Sequence, residues 1–569
     1  MPGWMERFLR EVAVMTIRDY IDAAERERPQ APAQKFHLKD GWHVRTYAEY
    51  KSRAVRVAAL ARDLRLVPKR SNVALMLDNC PEWEEIYLGL SSVGFTVVPM
   101  DPKLKTREVA HILGDSGAEA IFIGAKQRES VAAAIPELPA LKVCVVLGDA
   151  SEIALPGECV SFRYEVLMEK ARDDEDARDW YAKNAPSADD VASLIYTSGT
   201  TGKPKGAMLT HGNITANVNS AVEVEDFQSD DVFLVALPLF HAFSFSFSFM
   251  LALASGGCSC FIRSLKTISE DIRILRPTTI LAVPLMAEKM YAKIDEKLSA
   301  SKMVAFLRKV GLGFVVGRAV RKALGGRVRR MAIGGAPTSV RVLEGYARYG
   351  IPAKEGYGLT ECSPLVSWPG VGTRQKIGTV GPVLSCMQYK VVDPDSTGAG
   401  ELCVKGPNVT IGYYKNPEAT AAAFDADGYF RTGDIVRVDG EGYLTICGRR
   451  KALIVNREGK NIYPEEIEQV VCRCDLVAES LALGYTMEGE VGEHVGLIVQ
   501  PNDETCAALG DTEEARDAAL RERVMALCGE RLADYKVPRK LVIRHEPFAL
   551  TSTMKVRRAA YEGTLDEKK

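Results

Sequence analysis

The chain has no excess of charge of either sign: 73 Lys and Arg stand against 75 Asp and Glu, a formal net charge of −2. Without a global basic field to hold a polyanion, nucleic acid is not an expected partner. Metal-ligand spacing is also missing, because the 13 cysteines are scattered and the close pairs Cys258/Cys260 and Cys472/Cys474 read C-x-C rather than C-x-x-C. That argues against a zinc site. No basic-then-apolar leader opens the sequence, and an odd cysteine number in a chain of this size predicts free thiols in a reducing, cytoplasmic setting. A clean apolar run is lacking as well: the longest uncharged stretch, Ala242 to Ile262, is interrupted by Ser244, Ser246, Ser248, Ser255, Gly256, Gly257 and Ser259. It is expected to be buried inside the protein rather than in a bilayer.

What is present is an ordinary globular composition, 47% hydrophobic and 26% charged, over 569 residues. The N-terminal half alternates apolar β-branched runs with helical segments. Thr46-Tyr47-Ala48-Glu49 is a capping-box sequence opening a helix to about Leu64. Strands are expected at Asn72 to Leu77, Ala120 to Ile123, Leu141 to Leu147, Ala192 to Tyr196, Val232 to Leu237, Thr279 to Val283 and Val328 to Ile333. Such alternation predicts a largely parallel sheet covered on both faces. From about 371 to 447 short strands broken by Gly, Pro and Asp predict a small β-rich subdomain, which completes a large domain over 1–447. Residues 448–569 suffice for a separate α+β domain, with a strand at Lys451 to Val455, a helix from Pro464, strands near Leu481 and Val495, a helix capped by Asp511 and a strand at Leu541 to Arg544. The acidic run Asp173 to Asp176 reads as a solvated loop. No internal repeat is present.

The most informative segment is YTSGTTGKPKG, Tyr196 to Gly206, directly after a predicted strand. Glycines let successive N–H groups converge on one anion, Thr197, Ser198, Thr200 and Thr201 add hydroxyls, and Lys203 and Lys205 add charge. The pattern suits phosphate. It is not the P-loop, since Gly199 and Gly202 lack its spacing, and neither G-x-G-x-x-G nor G-x-S-x-G occurs in the chain.

This string resembles the signature of the adenylate-forming (AMP-binding) superfamily, and further motifs follow in family order across nearly the whole chain. LPLFHAF (Leu237 to Phe243) resembles the segment whose histidine, here His241, stands at the mouth of the acyl pocket. GGAP, with Gly335, Ala336 and Pro337, resembles the turn that meets the adenine edge. In EGYGLTE the resemblance implies that Gly356, Tyr357 and Gly358 hold adenine, with Tyr357 stacking on it, that Thr360 meets phosphate, and that Glu361 is a ligand for Mg²⁺. FRTGD ends in Asp434, implied to accept both ribose hydroxyls. GRRKALIV places Arg449 at the nucleotide and Lys451 at the pivot of a mobile C-terminal domain. TSTMKVRR carries Lys555 as the implied adenylation lysine, in the Thr-Met-Lys form of long-chain fatty acyl-CoA synthetases rather than the commoner Ser-Gly-Lys.

The resemblance implies an α/β fold of a large N-terminal domain with a β-rich subdomain and a small mobile α+β domain. It implies activation of a carboxylic acid, a long-chain fatty acid by the closest likeness, with ATP, Mg²⁺ and CoA, through an acyl-AMP whose acyl group is passed to CoA, giving acyl-CoA, AMP and pyrophosphate. An acyl carrier protein as acceptor is the alternative within the class, and a nucleotide-binding scaffold the alternative outside it. FSFSFSF (Phe243 to Phe249) serves equally as tunnel wall or as core. Trp4, Met5, Phe8, Leu9 and Val12 fall on one face of a helix expected to dock on the protein body, with peripheral membrane contact the second reading.

Overall fold

The computed structural model describes residues 15–148, 155, 157–197, 204–299, 313–371, 376–457, 460–487, 492–550 and 556–566. Within them each β-branched run of the N-terminal half is a strand, and helices return the chain so that neighbouring strands lie parallel. Two seven-stranded sheets result. The first runs Ala353–Glu355, Arg330–Ile333, Thr279–Ala282, Val232–Val235, Cys258–Phe261, Pro32–Leu38, Gly41–Thr46, and only its last pair is antiparallel. The second runs Val160–Arg163, Val143–Leu147, Ala120–Gly124, Asn72–Met76, Thr96–Pro99, Val191–Thr197, Lys205–Thr210, again with an antiparallel last pair.

Helices start where capping chemistry allows. Thr46 accepts the Glu49 N–H at 3.3 Å while the Glu49 carboxylate takes the Thr46 N–H at 2.7 Å, opening the helix Tyr47–Asp63 with the reciprocal pair its sequence predicts. One continuous core spans both sheets. At its centre Trp83 and Tyr87, on the helix Pro81–Ser91, stack 5.5 Å apart and meet the edges of Phe245 and Phe249. Each such buried ring contributes roughly 1.5–3 kcal/mol. The uncharged stretch is therefore interior, as a π-helical turn Phe245–Met250, a helix Leu251–Ser255 and the inner strand Cys258–Phe261. No helix among the described residues is long and apolar enough to cross a membrane, and all 13 cysteines are free.

Beyond these sheets lies a four-stranded antiparallel sheet, Gln388–Val392, Gly400–Lys405, Phe430–Val438 and Leu444–Arg449. The remaining chain forms Val477–Tyr485, His494–Pro501 and Lys540–Ile543 under the helices Pro464–Val471 and Glu513–Arg531, with its own core around Ile467, Leu497 and Val524.

Three local expectations are corrected. The long C-terminal helix is capped by Thr512, whose hydroxyl accepts the Ala515 N–H, and not by Asp511 one residue earlier. Asp173 to Asp176 is not a free loop, because Asp174 caps the helix Glu175–Lys183 and Asp173 binds the Arg178 guanidinium through both oxygens. Of Lys451 to Val455 only Ile454–Val455 is a strand, and Arg450–Ala452 form a single turn. Trp4, Met5, Phe8, Leu9 and Val12 lie outside the described residues.

Candidate functional site

The phosphate-type loop is held at both ends by strand pairing. Val191–Thr197 and Lys205–Thr210 are antiparallel, with Thr197 directly opposite Lys205. Ser198, Gly199, Thr200, Thr201 and Gly202 lie outside the described residues. Behind the returning strand the segment Gly412 to Tyr414 is stitched on by Met208 N–H to the Gly412 carbonyl at 2.9 Å and Tyr414 N–H to the Gly206 carbonyl at 2.8 Å. This brings the Tyr413 ring beneath the Lys205 ammonium, 5.6 Å from its centroid.

Tyr413 also donates its hydroxyl to Glu361 Oε1 at 2.9 Å, while the Thr410 N–H holds the Glu361 carbonyl at 2.7 Å. Burial, then the Glu361 charge, pushes the Tyr413 phenol well above its usual range, so it stays a donor. Thr360 opens the short turn Thr360–Cys362 just before Glu361's neighbours.

Tyr357 and Arg449 converge on one carboxylate. The Tyr357 hydroxyl donates to Asp434 Oδ2 at 2.5 Å, and Arg449 Nε lies 2.7 Å from Asp434 Oδ1. Strand pairing sets the second contact, since Asp434 sits opposite Arg449 in the four-stranded sheet. Asp434 is buried, and its N–H is fixed by the Thr432 hydroxyl at 3.1 Å. Gly356 and Gly358 keep their backbone close to neighbours: a Cβ on Gly356 would lie 2.6 Å from the Trp368 ring, and one on Gly358 2.1 Å from the Pro364 carbonyl oxygen.

Gly335, Ala336 and Pro337 follow the strand Arg330–Ile333, second from the edge of the first sheet, and Gly335 takes a φ of +94° that favours glycine. The turn is tied back by the Glu355 carboxylate, which accepts the Thr338 N–H at 2.7 Å. Burial raises the Glu355 carboxyl to about 7. His241 is half-buried on the turn after Val232–Val235, its N–H bonded to the Pro238 carbonyl at 3.2 Å and its ring 4.3 Å from that of Phe240. The phenylalanine run divides: Phe245, Phe247 and Phe249 are buried in the core, Phe247 against Trp368, whereas Phe243 is only half-buried and faces Gly334.

Lys451 is exposed in the turn Arg450–Ala452, which Arg450 ties to Glu401. Lys555 lies outside the described residues, whose chain rejoins where Val556 bridges Leu550. Sequence reasoning missed the contacts of Tyr413 and Glu355. The aromatic Gly412-Tyr413-Tyr414 and the Glu355 that opens EGYGLTE were visible signals.

Residues 21–414 match the family described as AMP-binding enzyme. Over 538 residues, 85% of this chain and 76% of the other, the sequence is 30% identical to long-chain-fatty-acid–CoA ligase 6 of Mus musculus. It is 30% identical over 526 residues to the long-chain-fatty-acid–CoA ligase of Salmonella typhimurium, covering 88% and 87% of the two chains. Among solved structures the anthranilate CoA ligase AuaEII, bound to anthranoyl-AMP, shares the fold with a TM-score of 0.79 at 18% identity over 98% of both chains. The chain thus belongs to the AMP-binding enzymes, the family of AMP-forming acid–CoA ligases.

Proposed function

We propose that this enzyme activates a long-chain fatty acid with ATP as acyl-AMP, releasing pyrophosphate, and then passes the acyl group to the CoA thiol, releasing AMP. The observation that carries the nucleotide half is the meeting of Tyr357, Asp434 and Arg449 from three separate motifs within hydrogen-bond distance. The fatty acid half is supported by the relatives at 30% identity and by the Thr553-Met554-Lys555 sequence.

In this reading Tyr357 stacks on adenine beside Gly335, Ala336, Pro337, Gly356 and Gly358, and Asp434 accepts the ribose hydroxyls with its two oxygens. Thr197 to Gly202, with Lys205, wrap the phosphates in backbone N–H groups and hydroxyls, and Thr360 adds another. A carboxylate is a poor nucleophile that ATP repels, so Lys555 neutralises the oxygens around the α-phosphorus as the bond to pyrophosphate breaks. His241 stands beside the incoming carboxylate. Lys451 is the pivot about which the small domain withdraws Lys555 before the thiol attacks.

Mg²⁺ fits the donors present. Glu361 keeps Oε2 beside the Oε1 that Tyr413 holds, and no group of three acidic, His or Cys ligands occurs among the described residues. Glu361 would hold Mg²⁺ together with the phosphates of the nucleotide, and the ion would supply neutralisation of phosphate charge.

The test offers the protein a pool of acetate, medium-chain, long-chain and aromatic acids with ATP, Mg²⁺ and CoA, and identifies products by mass spectrometry. Long-chain acyl-CoA with pyrophosphate release that requires both ATP and acid is expected. Aromatic or short-chain thioesters alone would overturn the substrate assignment, and acyl groups found only on an added carrier protein would overturn CoA as acceptor.

A further inference from the structure

We propose that Asn79 is a positioning residue for the acid-binding side of the reaction, because its carboxamide clamps the turn that carries His241. Asn79 follows the strand Asn72–Met76 of the second sheet, and His241 follows Val232–Val235 of the first. The Asn79 Nδ2 donates to the Leu237 carbonyl at 2.7 Å, and its Oδ1 accepts the Leu239 N–H at 2.9 Å. A single side chain thereby spends both ends of its amide on a loop 158 and 160 residues further along. Helix capping does not explain it, since the helix Pro81–Ser91 has Cys80 at its N-cap.

The clamped turn also carries bonds of its own. The Leu237 carbonyl takes a second bond from the buried Ser244 hydroxyl at 2.9 Å, His241 N–H closes on Pro238, and Phe245 N–H on the His241 carbonyl at 2.9 Å. Ser244 fixes the start of the turn from the helix side, so Asn79 is what fixes it from the opposite sheet. Only a carboxamide at this length offers a donor and an acceptor together. Aspartate would keep the acceptor for Leu239 and set a charge against the Leu237 carbonyl, and alanine would leave both backbone groups without their partner. Either change frees the height of His241 while leaving Tyr357, Asp434 and Arg449 untouched.

This inference rests on the reading that His241 faces the acid, and the test separates the two. Asn79→Ala, Asn79→Asp, His241→Ala and the double variant Asn79→Ala/His241→Ala are compared in the full-length enzyme for kcat, for KM of the fatty acid and of ATP, and for thermal midpoint. Asn79→Ala and Asn79→Asp are expected to raise the KM for the acid by about tenfold, the scale of one lost hydrogen-bonding partner, with the KM for ATP within about twofold. In the double variant the two effects are expected not to add, because both act through one ring. The proposal is overturned if the two KM values rise together, if the effects add in full, or if both Asn79 variants fail to fold, since each outcome makes Asn79 a general support. An acid KM that His241→Ala leaves unchanged while Asn79→Ala raises it would instead remove His241 from the site.

Discussion

Tyr357 and Asp434 share a hydrogen bond of 2.5 Å although 77 residues separate them, and Arg449 occupies the other oxygen of the same buried carboxylate. The carboxylate is thus held ready, with both acceptor positions already oriented by donors that a sugar's hydroxyls can replace or extend. Hydrogen bonds to a charged group are worth about 1.5–3 kcal/mol, so Asp434→Ala is expected to raise the KM for ATP by about ten- to a hundredfold. The KM for the acid is expected to stay nearly constant. Tyr357→Phe, which keeps the ring and loses only the hydroxyl, is expected to cost no more than about tenfold. Initial rates across an ATP titration check both, and an unchanged ATP dependence in Asp434→Ala would remove this residue from the nucleotide site.

Tyr413 gives a second prediction, directed at the proposed Mg²⁺. Its hydroxyl orients Glu361, whose backbone Thr410 already fixes. Tyr413→Phe should leave folding intact and free the carboxylate to rotate, at a cost of about 1 kcal/mol. The Mg²⁺ concentration giving half-maximal rate is expected to rise by about fivefold, and calorimetric binding of Mg-ATP to weaken in parallel while acid binding does not. Equal Mg²⁺ dependence in the two proteins would show that Tyr413 does nothing for Glu361.

Seven strands of the two large sheets were legible because a buried parallel strand needs a short β-branched run, and each run singled out from Asn72 to Ile333 became one, whereas Thr96–Pro99, Lys205–Thr210 and Cys258–Phe261 were not foreseen. The residues proposed to bind nucleotide stand out in the sequence because glycine, hydroxyl and acid occur there in fixed order. The supports were not. Asn79 and Tyr413 act on partners 158 and 52 residues away, and no local pattern announces a contact of that range. The phenylalanine run was ambiguous for a related reason: a spacing of two distributes rings around a helix, so Phe245 and Phe249 face Trp83 while Phe247 faces Trp368. Thr512 and Asp511 are both good caps, and only the bond to the Ala515 N–H chooses between them.

Gly358 provides a steric test of how tightly the strand proposed to face adenine is held. A Cβ there would come within 2.1 Å of the Pro364 carbonyl oxygen, a backbone atom that cannot swing aside. Gly358→Ala is expected to lower kcat/KM by at least about tenfold and to destabilise the protein by about 1–3 kcal/mol, as overpacking does. Gly440→Ala, with nothing within 4 Å of the added carbon, is the control and should behave as the parent. Unaltered activity in Gly358→Ala would mean that the segment from Gly356 to Glu361 tolerates displacement.

His211 makes stability depend on pH. It is fully buried at the start of the helix His211–Val224, its Nδ1 accepts the Ile17 N–H at 3.2 Å, and burial lowers its pKa to about 4. The unfolded chain takes up a proton near pH 6.5 and the folded one resists until about 4, so between these values the unfolded state binds more protons. Stability is therefore full above pH 6.5 and falls as pH drops through the window, by roughly 3 kcal/mol across its width. In His211→Asn an amide oxygen can accept the same Ile17 N–H without titrating. The thermal midpoint of the parent is expected to fall more steeply than that of the variant from pH 6.5 to 4.5, and parallel curves would show that His211 is not the group that titrates.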